Sequence, residues 1–405
     1  DIDIANFVGA LLFGGDGDDT ITTSGADGDL VFGGAGNDTI ISRKFEDLIQ
    51  AGDGDDTIII RTESDLFGNT GDDDADVISG GNNSSVGDTL QFGTASTSTG
   101  LTYNFATDGG REARFTGIEN INFFQSNTVL QAFGESFILL TEITGESGVT
   151  GVTLRGAGRT LNLADVSVSS AVSTLTGTAS LGEGVRIIDS TKDSIGRILI
   201  GTSDPDELNG SGGDDIIRFG GGSTRDVVLG GDGNDTFEIL ANTDITAGLD
   251  LSGGARVDTL SVKSTGISTL VFPLEGGTSL SRTGGATSSF TGLEVFDLSG
   301  GATGGVTVKI NGRELEAITK ITGDGTNDIL EIIKFDYNLT NGSRRPSDSN
   351  LTGIETIKLT EANSQQTLSL SNDTTISGLT TIQGTVAING SREDDISVFG
   401  NRDFS

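Results

Sequence analysis

The apolar residues of this chain keep a nine-residue beat, where an amphipathic helix would repeat about every 3.6 residues. In Gly14-Gly15-Asp16-Gly17-Asp18-Asp19-Thr20-Ile21-Thr22 a large aliphatic residue stands eighth, behind a run of glycines and carboxylates. Gly33-Gly34-Ala35-Gly36-Asn37-Asp38-Thr39-Ile40-Ile41 and Ala51-Gly52-Asp53-Gly54-Asp55-Asp56-Thr57-Ile58-Ile59 repeat it. Weaker units between them keep the sixth-position Asp and the eighth-position apolar residue: Ser42–Gln50 with Asp47 and Ile49, Ile60–Gly68 with Asp65 and Phe67, and Gly71–Ser79 with Asp76 and Ile78. Gly87-Asp88-Thr89-Leu90 ends this first block.

A second block runs through Gly201–Asn209, Gly210–Ile217, Gly221–Leu229 and the complete copy Gly230-Gly231-Asp232-Gly233-Asn234-Asp235-Thr236-Phe237, and closes on Gly253–Leu260. Fragments recur at Gly323–Asp328 and Asn389–Asp394, the last of which implies a natural chain continuing past Ser405. Elsewhere the pattern changes to period-2 alternation, as in Leu161-Leu163, Val166-Val168 and Ile376–Ile382, which predicts strands. β-branched residues dominate and no segment has helical periodicity, so very little helix is expected. A further signature recurs after each of the two blocks and again after the fragment at Gly323–Asp328: Phe115-Thr116-Gly117-Ile118-Glu119, Phe290-Thr291-Gly292-Leu293-Glu294 and Leu351-Thr352-Gly353-Ile354-Glu355. Three modules of roll, long loop and T-G-I-E strand are implied.

Each nonad predicts a tight turn over its first six residues and a short strand over its last three. Two nonads make one coil, so units 18 apart, such as those at 33 and 51, stack directly. The expected fold is all-β: a parallel β-roll or β-helix solenoid whose nonapeptide turns alternate with Ser/Thr/Gly-rich strand modules. The segments expected are a first roll over 1–92, a strand module over 93–200, a second roll over 201–262 and strand modules with degenerate turns over 263–405.

Composition narrows the chemistry. With 24 Lys and Arg against 59 Asp and Glu, the net charge is −35, which opposes compaction unless cations neutralise part of it. Nucleic acid and anionic membranes are poor partners on the same ground. Cys and His are both absent, so disulfides, thiolate metal sites and the commonest general base are unavailable. No apolar run is long enough to insert in a membrane. Asp1-Ile2-Asp3-Ile4 has no features of a signal peptide, so a mature product or a fragment is expected.

Stacking puts sixth-position carboxylates of successive coils about 4.8 Å apart, where each like-charge pair costs roughly 3.5 kcal/mol at an effective dielectric of about 20. Ca²⁺ suits such a stack, because it accepts six to eight oxygens in flexible geometry. The pairs expected to hold it are Asp19 with Asp38, Asp38 with Asp56, Asp56 with Asp76, Asp215 with Asp235, and Asp206 with Asp226.

These nonads resemble the RTX, or hemolysin-type, calcium-binding repeat of proteins exported by type I secretion. The resemblance implies ions between same-side turns, held by the sixth-position carboxylates and by main-chain carbonyls that map onto Gly14, Asp16, Gly33, Gly34, Ala35, Gly36, Gly52 and Gly54. Ala51 and Ser211 replace glycines of the motif, and Arg43 and Lys44 stand where the opposite edge would bind further ions. The alternation of rolls with Thr/Ser/Gly-rich strands is similar to bacterial RTX-type surface-layer proteins. It implies an extracellular, self-assembling coat protein with itself and a cell-surface glycan as partners, and no catalysis.

Two alternatives compete with it. An RTX adhesin would bind a host or matrix ligand, and the solenoid portion of a secreted polysaccharide-acting enzyme would need a catalytic module. Tyr103 and Tyr337 with Arg111, Arg114, Arg344 and Arg345 are the only candidates for a sugar-binding or lyase-like site, and they are scattered along the chain. Glu119, Glu294 and Glu355 read as structural, accepting hydrogen bonds from a neighbouring turn.

Overall fold

The computed structural model describes residues 2–3, 9–25, 28–44, 47–66, 76–83, 86–95, 100–105, 114–158, 160–178, 183–220, 226–241, 249–267, 269–271, 289–310, 318–332, 350–361, 367–370, 376–377, 381–386 and 395–398. Tyr337, Arg111, Arg344, Arg345, Phe67 and the fragment 389–394 lie outside them. The chain divides into two compact units, Asp1–Ile200 and Gly201–Ser405.

In the first unit the expected parallel roll is present. Strands Thr20–Thr22, Thr39–Ser42, Thr57–Ile60 and Thr89–Phe92 form one sheet, and Leu11–Asp16, Leu30–Ala35, Leu48–Asp53 and Val77–Asn82 form another. The eighth-position residues Ile21, Ile40, Ile58 and Leu90 pair in register and are fully buried. Val31, Ile49 and Ile78 stack likewise in the second sheet. Burying a full aliphatic side chain contributes about 1.5–3 kcal/mol, so this narrow core accounts for the strict eighth position. The first sheet runs on past residue 92 through Asn120–Phe123, Glu142–Gly145 and Ser167–Val168. Among the described residues the only helical turns are the short 3-10 segments Glu63–Asp65 and Gly134–Phe137.

In the second unit Glu207–Asn209, Val227–Asp232, Asp250–Ala255 and Ser289–Thr291 make one parallel sheet. Ile216–Arg218, Thr236–Ile239, Thr259–Val262, Val295–Asp297, Lys320–Thr322 and Asn350–Thr352 make the other. Phe237, Leu260, Phe296 and Ile321 form its buried ladder.

The nonad divides differently from the expected six-plus-three. Its first three residues finish one strand, the next three turn, and the last three open a strand of the other sheet, because the glycines themselves pair between coils: Gly15 with Gly34, Gly34 with Gly52, Gly52 with Gly81. Gly34 has φ +122°, and a Cβ there would stand 2.0 Å from the Gly15 carbonyl oxygen. Gly34→Ala is therefore expected to lower the melting temperature even in saturating calcium. Backbone strain alone costs about 1–3 kcal/mol, and differential scanning calorimetry reads the loss.

Candidate metal centre

Each tight turn delivers a sixth-position Asp to one edge of its roll, where the residues form a continuous column. The Asp19 backbone N–H donates to Asp38 Oδ1 (2.8 Å), Asp38 to Asp56 Oδ1 (2.7 Å) and Asp56 to Asp88 Oδ1 (2.8 Å). Asp215 donates to Asp235 (2.9 Å) and Asp235 to Asp258 (2.8 Å) in the second unit. Asp56 is therefore stacked on Asp88 and not on Asp76, a correction to the sequence expectation. The turn starting at Gly80 carries inserted residues, so its carboxylate arrives eight positions after the first glycine in place of five.

One oxygen of Asp38, Asp56, Asp88, Asp235 and Asp258 thus accepts a hydrogen bond from the preceding turn, while the second oxygen of each is buried and has no hydrogen-bond partner. A buried, unpaired carboxylate oxygen costs several kcal/mol unless something compensates it. Main-chain carbonyls converge on the same place. An ideal Cβ on Gly33 would stand 2.4 Å from Asp38 Oδ2 and 2.2 Å from the Ala51 carbonyl oxygen. On Gly230 it would stand 2.2 Å from Asp235 Oδ2 and 2.4 Å from the Gly253 carbonyl oxygen. First-position glycine keeps this oxygen-lined space open. Ala51 carries a methyl at the equivalent position of the third coil.

The carboxylates are strained electrostatically as well. Burial pushes the carboxyls of Asp56, Asp88, Asp235 and Asp258 up to about 6, and neighbouring carboxylates push the same way, against the hydrogen bond from the preceding backbone N–H. Asp38 is raised by the same causes. No group of three His, Cys, Asp or Glu side chains converges among the described residues. The donor set is therefore carboxylate and main-chain carbonyl, all hard oxygen, which fits Ca²⁺ and leaves out softer metals.

The opposite edge of the first roll is built from the alternate nonads and differs in one respect. Asp29 accepts from Ala10 N (2.7 Å), Asp47 from Asp29 N (2.9 Å) and Asp76 from Asp47 N (2.8 Å), so a second column exists. Here protein groups take part of the other oxygens: the Ser24 N–H donates to Asp29 Oδ2 (2.7 Å), and the Ser42 hydroxyl, with one proton to donate, lies 3.0 Å from Asp47 Oδ2 and 3.2 Å from Asp76 Oδ2. Asp76, expected among the metal ligands, belongs to this closed column. Asp206 resembles it, since Thr202 N donates to its Oδ2 (2.6 Å) and Thr202 Oγ1 to its Oδ1 (2.9 Å), while Asp226 accepts the Asp206 N–H at 2.9 Å.

The expected carbonyl donors are placed as follows. Gly14 and Gly33 hold first positions, Gly34 and Gly52 pair across coils, Asp16 pairs with Ala35, and Gly36 and Gly54 open the tight turns with positive φ. Fifth-position residues add an outer ladder that the nonad pattern did not single out: Asn37 N donates to Asp18, Asp55 N to Asn37 and Gly87 N to Asp55. Tyr103 is buried and donates its hydroxyl to the Arg61 carbonyl (2.8 Å), so it serves the core.

The T-G-I-E glutamates close the columns. Glu119 Oε2 accepts the Asp88 N–H (3.0 Å) and an Asn83 Nδ2–H, Glu294 Oε2 the Asp258 N–H (2.8 Å) and Glu355 Oε2 that of Asp328 (2.7 Å). The preceding Ile118, Leu293 and Ile354 are buried beneath them.

Comparison with known families agrees with this geometry. The RTX calcium-binding nonapeptide repeat matches in four copies, over residues 11–40, 32–59, 198–225 and 221–238. No curated protein matches the chain. Over the matched residues the chain consists of RTX repeats, which are structural calcium-binding units.

Proposed function

We propose that this protein is an extracellular structural protein whose rolls fold when Ca²⁺ fills the open carboxylate columns, and which then associates with further copies of itself in a surface layer or filament. The observation that carries the calcium half is the stack of buried, unpaired Asp oxygens that runs, among the described residues, along one edge of each roll. Extracellular calcium modules bind the ion at roughly 0.1–1 mM, and columns of that affinity would fill outside cells.

Support for assembly comes from the outer face of the first roll. Leu11 and Phe13 are 56% and 58% exposed, and Leu48 and Val77 are 39% and 45% exposed. Register puts Leu11, Leu30, Leu48 and Val77 in one row, and the Phe13 and Phe32 rings stack at 5.1 Å beside it. Contiguous apolar surface of this kind marks an interaction face, and calcium lowers the −35 charge that would hold copies apart.

Sedimentation velocity tests the proposal. A slow, monomeric species is expected in EDTA and large polymers in millimolar Ca²⁺. The pair Phe13→Glu and Leu48→Glu should abolish the polymers while leaving calcium-induced folding intact. A chain that calcium folds but leaves monomeric would remove the assembly reading and favour an adhesin that offers this face to another ligand.

A further inference from the structure

The geometry points to one further metal site at the end of each open column, in which Glu119 with the Gly117 carbonyl, and Glu294 with the Gly292 carbonyl, face Asp88 and Asp258 respectively. The inference rests on the calcium reading of the columns and extends it beyond the nonapeptide repeats.

A glutamate that served only as a hydrogen-bond cap would need to do no more than accept one N–H. The structure supplies the rest of the arrangement too. Asp88 and Asp258 are fully buried, and the second oxygen of each has no hydrogen-bond partner. First-position glycine recurs: a Cβ on Gly80 would stand 2.2 Å from Asp88 Oδ2 and 1.9 Å from the Gly117 carbonyl oxygen. On Gly253 it would stand 2.4 Å from Asp258 Oδ2 and 1.8 Å from the Gly292 carbonyl oxygen. The T-G-I-E glycine therefore presents its carbonyl where a nonad presents that of its first residue.

Gly117 and Gly292 reach this with the same left-handed backbone, φ +62° and +61°. Only residues 117–119 and 292–294 separate the two strands at these turns, and the extra methylene of Glu carries the carboxylate into the column.

The third signature provides an internal control. Glu355 accepts the Asp328 N–H and Gly353 presents its carbonyl in the same way, yet Asp328 Oδ2 already accepts the Asp324 N–H at 2.8 Å and Oδ1 that of Val306 at 2.6 Å. Its inner oxygen is satisfied by the protein, as on the closed columns. This turn holds no ion.

Glu→Gln separates a ligand from a cap, because glutamine keeps an oxygen to accept the Asp N–H and loses the charge. Bound calcium counted by elemental analysis after equilibrium dialysis should fall by one ion per chain in Glu119→Gln, by one in Glu294→Gln and by two in the double variant. Glu355→Gln should keep the wild-type count. Calcium-induced folding, followed by circular dichroism, should persist in all three single variants. An unchanged count in the double variant overturns the inference and leaves the nonapeptide sites standing. A wild-type chain that binds no calcium overturns the parent reading instead. Should a variant fail to fold, the anomalous signal of Tb³⁺ in crystals of the unaltered protein decides. Density is expected beside Glu119 and Glu294 and absent beside Glu355, and its absence at the first two is the contrary result.

Discussion

Asp38→Ala is expected to abolish calcium-dependent folding of the first roll at calcium concentrations that saturate the wild type. Asp38 takes part in two intervals of the column, with Asp19 on one side and Asp56 on the other. An ion bound at a hundredfold excess over its dissociation constant stabilises the folded state by about 2.7 kcal/mol, so two lost ions remove about 5 kcal/mol. That is a large fraction of the roughly 5–15 kcal/mol that holds a domain together. The contrast is Asp47→Ala on the closed edge. There the substitution breaks hydrogen bonds with Asp29 N and Ser42 Oγ, at a cost of about 1–3 kcal/mol per unsatisfied partner. Its effect on melting should be the same at every calcium concentration. Thermal melts across a calcium series distinguish the two, since only the Asp38 variant changes the slope of melting temperature against calcium.

Opposite responses to pH with and without calcium are the second large effect. In chelator, Asp56, Asp88, Asp235 and Asp258 bind their protons more tightly in the roll, at about 6, than at their ordinary value of 3.8. Their protonation therefore favours the folded state. This contribution is complete below about pH 4 and is lost as pH rises through 6, so the metal-free rolls should melt at progressively lower temperature from pH 4 to 7. With calcium present the same protons compete for the ligand oxygens. The calcium midpoint should then rise as pH falls below 6, by roughly tenfold at pH 5 for each carboxylate that must be deprotonated. Calcium titrations by circular dichroism at pH 5 and pH 7 check the second half, and melts in EDTA check the first.

Much of this was legible in the sequence, because the same physics acts on every nonad. An aliphatic residue in a narrow core and a carboxylate on a stacked turn recur at fixed positions, and Asp38 over Asp56 follows directly from an 18-residue spacing. The pattern failed where the turn changed length. Asp88 reaches the column across inserted residues, so a fixed count from glycine to aspartate chose Asp76, which accepts the Asp47 N–H on the opposite edge and shares the Ser42 hydroxyl with Asp47.

The distinction between open and closed edges was illegible for a different reason. It depends on whether Ser24, Ser42 or Thr202 supplies a donor to the inner oxygen, and such residues are common in any Ser/Thr-rich chain. Arg43 and Lys44 hinted at the closed edge. Glu119 and Glu294 were visible as a repeated signature and read as acceptors from a neighbouring turn, which is where they stand. Their alignment with an unpaired aspartate oxygen is a property of three strands meeting and has no trace in the local sequence.

Far-ultraviolet circular dichroism of the chain in EDTA at pH 7, followed by stepwise addition of Ca²⁺, tests the central claim most directly. The open columns predict a weak β signal in chelator that rises cooperatively as calcium is added and is not reproduced by the same concentration of Mg²⁺. A full β signal in EDTA, unchanged by calcium, would contradict the account, because the buried carboxylate oxygens would then be compensated without a metal.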